Sequence, residues 1–381
     1  MNNPLKQGLL HTGLFIATFI TVTLTGAFMY SAAPPPEDFA INWELFKTGL
    51  PFSIPFLGIL LVHELGHYFT AIARKVKTSL PYFIPFFPYI LGTMGAVIVM
   101  KGPRNSRKQY FDIGIAGPLA GWIVAIGVLW YGYATLPPIE HIFELHPEYQ
   151  EYGADFADHV YAEPGSEADT LNQIYFGTNL TMQFFEKVVA DPDRVPPRQE
   201  IMHYPLLMAG FWALFFTALN LLPIGQLDGG HVIYGLVGGR RQRWISGAVF
   251  LGFLTYAGVG VVTPSEPSEE LLWKLPLYLG FLFIALHSMK LKLSDRLMIA
   301  LGILAIQYVI TLFNPAAIGF QGWLLFGLII GRFLGVYHPT APLDAPLSRG
   351  RQILGWIALI IFIISFSPEP VWLVGPGYTS P

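Results

Sequence analysis

The chain has 381 residues, 53% of them hydrophobic and 15% aromatic but only 12% charged, where a soluble domain carries about 25% charged residues. That deficit, with several apolar runs long enough to cross a bilayer, excludes a water-soluble globule and points to a multi-pass membrane protein. The net charge of −3 names no partner, and the lack of cysteine excludes disulfides and thiolate metal sites.

The first apolar run, Thr12 to Tyr30, follows a single lysine and has no small-residue cleavage site, so it reads as a retained helix rather than a cleaved signal. Further runs predict transmembrane helices at 50–73, 111–136, 203–224, 244–263, 271–289, 297–313, 319–334 and 352–367. Basic residues cluster at Arg74, Lys75 and Lys77; at Lys101, Arg104, Arg107 and Lys108; at Arg240, Arg241 and Arg243; at Lys290, Lys292 and Arg296; and at Arg349 and Arg351. Acidic residues occupy the loops between them: Glu37 and Asp38, the segment 137–200, and Glu266, Glu269 and Glu270. The positive-inside rule then gives nine spans, with the N-terminus in the cytoplasm and the C-terminus outside. Because the basic clusters lie one per loop at membrane edges, they interact with the lipid bilayer and not with nucleic acid.

Two segments depart from this pattern. Residues 80–100, LPYFIPFFPYILGTMGAVIVM, are apolar but carry Pro81, Pro85, Pro88, Gly92 and Gly95, which break a helix repeatedly. Both flanks are basic, so the segment is expected to re-enter the membrane as a hairpin, with 95–100 as a strand. Residues 137–200 form the long polar stretch, with 13 acidic residues against Lys187, Arg194 and Arg198, and are expected to make an acidic extracytoplasmic cap. Within it IYFGTNLTMQFFEKVV is amphipathic, and Asn179-Leu-Thr181 is a sequon of the kind that arises by chance.

The chemistry begins in LVHELGHYF, 61–69, where His63, Glu64 and His67 interrupt an uncharged run. On a helix the two histidines share one face and can meet at one ion, with Glu64 beside them in reach of a water on it. This is the metalloprotease pattern, in which two imidazoles hold zinc and the glutamate takes the proton of the attacking water. Ionisable residues at mid-membrane cost roughly 2.5–3.5 kcal/mol each on insertion scales, and metal coordination offsets that. A catalytic zinc needs a third protein ligand and an open fourth position. TALNLLPIGQLDGGHVIYG, 217–235, supplies Asp228 as the best candidate and His231 as its rival, although Asp-Gly-Gly by itself is a turn signal. The spans place Asp228 and the histidine pair at similar depth, in the cytoplasmic half of the bilayer. Asn220 lies two turns deeper, either as an oxyanion donor or in a helix–helix hydrogen bond. In FDIGIAGPLAGWIVAI, 111–126, Gly117 and Gly121 form a small-residue pair suited to packing a helix against the site, while Asp112 is expected to cap that helix or pair with Arg107 or Lys108.

HELGH in a transmembrane helix, FDIGIAGPLAG after it and NLLPIGQLDGGH later resemble the site-2 protease family of intramembrane zinc metalloproteases, over roughly residues 50–240. The resemblance implies that His63, His67 and Asp228 bind Zn2+, that Glu64 is the catalytic acid/base, and that Asn220 orients substrate or the oxyanion. It implies that 80–100 is a membrane-embedded hairpin whose edge strand pairs with an unwound, single-pass membrane protein substrate. No PDZ-like module is visible, and the cap stands in its place. The fold expected is all-α and polytopic, with about nine transmembrane helices and one re-entrant β-hairpin. Its parts are an N-terminal helix and loop (1–49), core helices with the hairpin (50–136), the cap (137–200), a second core segment (201–240) and accessory helices (241–381). The function expected is regulated intramembrane proteolysis in a bacterial inner membrane. Its rivals are a divalent-metal transporter, which needs polar residues through the other helices that 244–263 and 319–334 do not offer, and an inactive scaffold, which would not need Glu64.

Overall fold

The computed structural model describes residues 4–31, 42–87, 91–102, 106–161 and 173–374. Glu37, Asp38, Pro88, Arg104 and the acidic stretch at 162–172 lie outside the described residues. The chain divides into two compact units, one of residues 1–104, 115–219 and 360–380, the other essentially of 105–114 and 220–359.

In the first unit α1 (Pro4–Tyr30) packs on α2 (Trp43–Ala73). Asn42 caps α2 by accepting the Leu45 N–H at 2.9 Å, so the helix starts seven residues before the predicted 50. Small residues let the two helices approach: a side chain on Gly49 would collide with the Thr23 carbonyl, and the Thr23 hydroxyl donates to Ser53 Oγ at 2.8 Å. Part of the segment expected to re-enter the membrane forms a β-hairpin, β1 (Tyr82–Pro85) and β2 (Thr93–Val97), antiparallel, with Tyr82 opposite Val97 and Phe83 opposite Ala96. The second strand starts two residues earlier than predicted because the Thr93 hydroxyl bonds the Ile84 carbonyl at 2.9 Å. Beyond Val97 only an isolated bridge, Thr78 with Met100, continues the pairing. The hairpin is held to α1 by the Thr21 hydroxyl donating to the Gly92 carbonyl at 2.6 Å. Gly92 has φ of 75°, and a Cβ there would press on the α1 backbone at 2.6 Å, so both conformation and space require glycine.

Residues 137–200 follow α3 (Arg107–Ala134), and their described part contains α4 (Ile142–Leu145), α5 (Phe156–Val160), β3 (Gln173–Phe176) and α6 (Leu180–Val188), with 3₁₀ segments at Ile139–His141, Pro147–Asp155, Pro192–Arg194 and Glu200–His203. The amphipathic stretch therefore splits, with Asn179 capping α6 through the Met182 N–H at 3.0 Å; at 4% exposure that asparagine is a cap rather than a modification site. Then comes α7 (Pro205–Leu221), and β4 (Val371–Val374) pairs antiparallel with β3. One core runs from the helices into residues 137–200: Phe56, Leu129, Tyr133, Ile142, Phe156, Met182, Met208 and Phe211 are each exposed by 1% or less. The Tyr133 hydroxyl donates to Glu186 at 2.9 Å, and Arg198 pairs with the same carboxylate at 2.7 Å. Below them Glu200 and His203 are almost wholly buried. Burial raises Glu200 to about 7 and lowers His203 to about 4, so their 3.4 Å contact at neutral pH is not a full ion pair.

The second unit contains α8 (Asp228–Val237), α9 (Gly239–Ala257), α10 (Ser268–Ala285), α11 (Leu293–Phe313), α12 (Gly322–Ile329), which continues as a π turn to Leu334, and most of α13 (Arg349–Ser365). Gln307 in α11 is satisfied from α9 and α10: it accepts the Tyr278 hydroxyl at 3.1 Å and donates to the Leu254 carbonyl at 3.0 Å. Asp112 pairs with neither Arg107 nor Lys108 but with Arg351, at 2.7 and 3.3 Å; Arg107 instead donates to the Gly235 carbonyl at 2.9 Å.

A helix stands at each of the nine predicted spans, but among the described residues four are long and apolar enough to cross a membrane: Leu5–Tyr30, Trp43–Ala73, Arg107–Ala134 and Leu293–Phe313. Pro205–Leu221 and Gly322–Leu334 are apolar but shorter, α13 has 17 residues, and α9 and α10 carry charged first turns that shorten their apolar lengths.

Candidate metal centre

His63, Glu64 and His67 occupy the second half of α2 and are buried, with exposures of 5%, 7% and 6%. Their four-residue spacing is one helical turn, and it brings the two Nε2 atoms to 3.1 Å with the ring planes at 71°. Two nitrogens bound tetrahedrally at about 2.0–2.1 Å from one zinc ion stand roughly 3.3 Å apart, so the pair fits that ion with little adjustment. Glu64 follows His63 directly and is about as deeply buried.

The room for these rings comes from α3. A methyl on Gly117 would overlap the His67 ring at Nε2, and one on Gly121 would stand 3.0 Å from the Cβ of His63. Gly66, inside HELGH, faces the Ala116 carbonyl, where a Cβ would be 2.6 Å away. The glycines read from sequence as a packing stripe thus cradle the histidines. Their own four-residue spacing, which matches that of His63 and His67, was the signal for it.

The remaining predicted residues lie in the second unit. Asn220 is in the last turn of α7 and Asp228 is the first residue of α8; both are partly buried. Asp-Gly-Gly is a helix start and not a free turn. Gly229 and Gly230 sit so close to the carbonyls of Leu221 and Gly225 that any side chain would collide, and this folds the first turn of α8 back onto the loop before it. His231, the rival ligand, is buried and lies 2.6 Å from His338, with the Tyr110 ring tilted by 41° at 5.4 Å.

A buried imidazole pair on an apolar helix of membrane length defines a helical membrane metalloprotein. Comparison places it further: the model of peptidase family M50 matches residues 51–261, more than half of the chain, and the chain belongs to that family, the site-2 proteases. It is 29% identical over 231 residues to "Probable zinc metalloprotease EGY1, chloroplastic" of Arabidopsis thaliana, covering 60% of this chain and 36% of that protein. The rice protein of the same name, from Oryza sativa subsp. japonica, is 30% identical over 237 residues, covering 61% and 35%. "Probable zinc metalloprotease EGY2, chloroplastic" of Arabidopsis is 24% identical over 207 residues, covering 54% and 32%. The matches span about a third of the length of these relatives. No solved structure matches the chain.

Proposed function

We propose that the chain is an intramembrane zinc metalloprotease that hydrolyses peptide bonds in or near the transmembrane segment of single-pass membrane proteins. The observation that carries this reading is the pair of buried Nε2 atoms 3.1 Å apart, with Glu64 beside them, inside a membrane-length helix. The names of the relatives support the same chemistry.

His63 and His67 would hold the zinc from α2, with Asp228, at the start of α8, as the third ligand. When bound, zinc would supply Lewis acidity toward the scissile carbonyl and lower the pKa of water. Glu64 takes the proton from the attacking water and returns one to the leaving amine. Asn220 donates its amide to the carbonyl oxygen as charge develops there. A peptide bond in a membrane helix is shielded by its own hydrogen bonds, and leaving one unmade in lipid costs several kcal/mol, so the substrate must unwind locally. The β1–β2 hairpin, with Met94 and Val97 exposed on β2, offers an edge on which an unwound strand regains those bonds. In this reading all nine helices span or enter the bilayer, the N-terminus is cytoplasmic, the hairpin is embedded, and 137–200 is an external cap governing access. The expected membrane is a bacterial inner membrane, whereas the relatives' names place them in the chloroplast.

The test is reconstitution of wild type and Glu64→Gln in liposomes with a single-span test protein. Wild type should cleave it, while the variant should bind zinc equally and leave it intact. Cleavage by Glu64→Gln would refute the mechanism, and zinc flux into sealed vesicles without cleavage would favour a transporter.

A further inference from the structure

Among the described residues a second group of metal-ligating side chains lies wholly within the first unit: His146, Glu200 and His203, whose ligand atoms all fall within 4.8 Å of one another. No motif announces it, since His146 and His203 are 57 positions apart. His146 opens the 3₁₀ segment Pro147–Asp155, and Glu200 and His203 close the turn that precedes α7.

The hydrogen bonds around the cluster decide what it can hold. His203 Nδ1 is 3.0 Å from the Tyr30 carbonyl, which only accepts, so that nitrogen carries the proton. His146 Nδ1 is 3.1 Å from the exposed Glu148 carboxylate and is likewise the donor. In each neutral ring this leaves Nε2 with a bare lone pair, and the two Nε2 atoms point at each other across 3.4 Å. The third party is Glu200. Its Oε1 accepts from the Tyr161 hydroxyl, while its Oε2 is fully buried, makes no hydrogen bond and lies 3.4 Å from His203 Nε2. Three groups with lone pairs facing one another thus converge on one point, and a cation placed there would satisfy all of them. The spacings are those of a coordination polyhedron, since ligands about 2.0–2.2 Å from a tetrahedral zinc are roughly 3.4 Å apart. Both imidazoles also have the outer partners typical of metal ligands, a backbone carbonyl for one and a carboxylate for the other.

We propose that His146, Glu200 and His203 bind a divalent cation of the zinc class, separate from the His63–His67 pair, as a structural clamp. Through the Tyr30 carbonyl the clamp ties the end of α1 to the 146–161 segment and to the turn before α7. His146 is only partly buried, which gives the ion a route in and leaves a coordination position for water.

The experiment is zinc counting on the purified full-length protein, stripped with chelator and then equilibrated with Zn2+. Wild type should hold two zinc ions, His146→Ala one, the His63→Ala/His67→Ala double variant one, and the triple variant none. His146 is 18% exposed and stacks on Tyr149, so His146→Gln, which keeps most of the side chain's volume but removes the imidazole, is the companion variant that separates zinc loss from loss of packing and should also hold one zinc ion. As a second readout, zinc should raise the Tm of the His63→Ala/His67→Ala protein and not that of the triple variant. A double variant that holds no zinc, or a His146→Ala protein that holds as much as wild type, overturns the proposal. Failure of the catalytic reading looks different: the double variant would hold as much zinc as wild type while His146→Ala still lost one equivalent.

Discussion

Substituting Gly117 by alanine adds one methyl group at the place where α3 meets the His67 ring, and its consequences can be worked through. The new carbon overlaps His67 Nε2, so the ring or the helix must retreat by on the order of 1 Å to restore ordinary contact. In stability the effects oppose each other. Alanine in a helix interior gains about 0.8–1 kcal/mol over glycine, and overpacking costs about 1–3 kcal/mol, so the fold should lose no more than about 2 kcal/mol. Function has no such offset. A displacement of about 1 Å at a reacting centre costs roughly 100-fold in rate, and displacing one imidazole should weaken zinc binding by about 10- to 100-fold. The control is Gly127→Ala on the same helix, where nothing lies within 4 Å of the new Cβ; it should be neutral or slightly stabilising and fully active. Cleavage of a single-span substrate, zinc affinity and Tm would be measured on both. A Gly117→Ala protein with wild-type rate and zinc affinity would refute the view that this glycine makes room for the metal-binding ring.

Asp228→Ala should lose both metal and activity, read by zinc content and cleavage together; full zinc retention at limiting Zn2+ would remove Asp228 from the ligand set. Asn220→Ala should keep its zinc and lose about 10²–10³ in kcat with little change in KM, as for a missing oxyanion donor, whereas a residue that only packs helices would shift Tm instead. Arg351→Met leaves Asp112 without the guanidinium that meets it at 2.7 Å; since the arginine is about a quarter exposed, the loss should be about 1–2 kcal/mol in thermal unfolding rather than the larger cost of a fully buried pair.

Much of the site was legible in sequence because its chemistry is written locally. HELGH sits on one helix, so the 3.6-residue repeat alone places His63 and His67 on one face, and the rarity of charge in the run marked it as functional. The hairpin was visible for a similar reason, as prolines and glycines excluded a helix from an apolar segment. What escaped depends on partners distant in the chain. Asp112 meets Arg351, 239 positions away, while local reasoning offered only Arg107 and Lys108. Asp-Gly-Gly read as a turn because glycine usually signals one; the need for glycine at 229 and 230 comes from the carbonyls they press against. The span ends were misplaced in both directions, α2 starting at Trp43 rather than 50 and α7 ending at Leu221 rather than 224, because apolar runs do not reveal where caps and loops start or stop a helix.

The pairing of β3 with β4 bears on the order in which the protein is made. Val371–Val374 complete a sheet begun at Gln173–Phe176, and residues 360–380 belong to the same compact unit as the first half of the chain. A ribosome must therefore deliver every residue between Phe176 and Val371 before that sheet can close. Until then the edge of β3 is open during synthesis, and long-range strand pairing of this kind is slow to find. A nascent chain stalled or truncated before residue 371 would keep every residue of the HELGH helix and of the Asp228 loop and still present an unfinished unit to the cell's quality control. The closing of this unit is thus decided by a strand distant in sequence from the metal-binding residues.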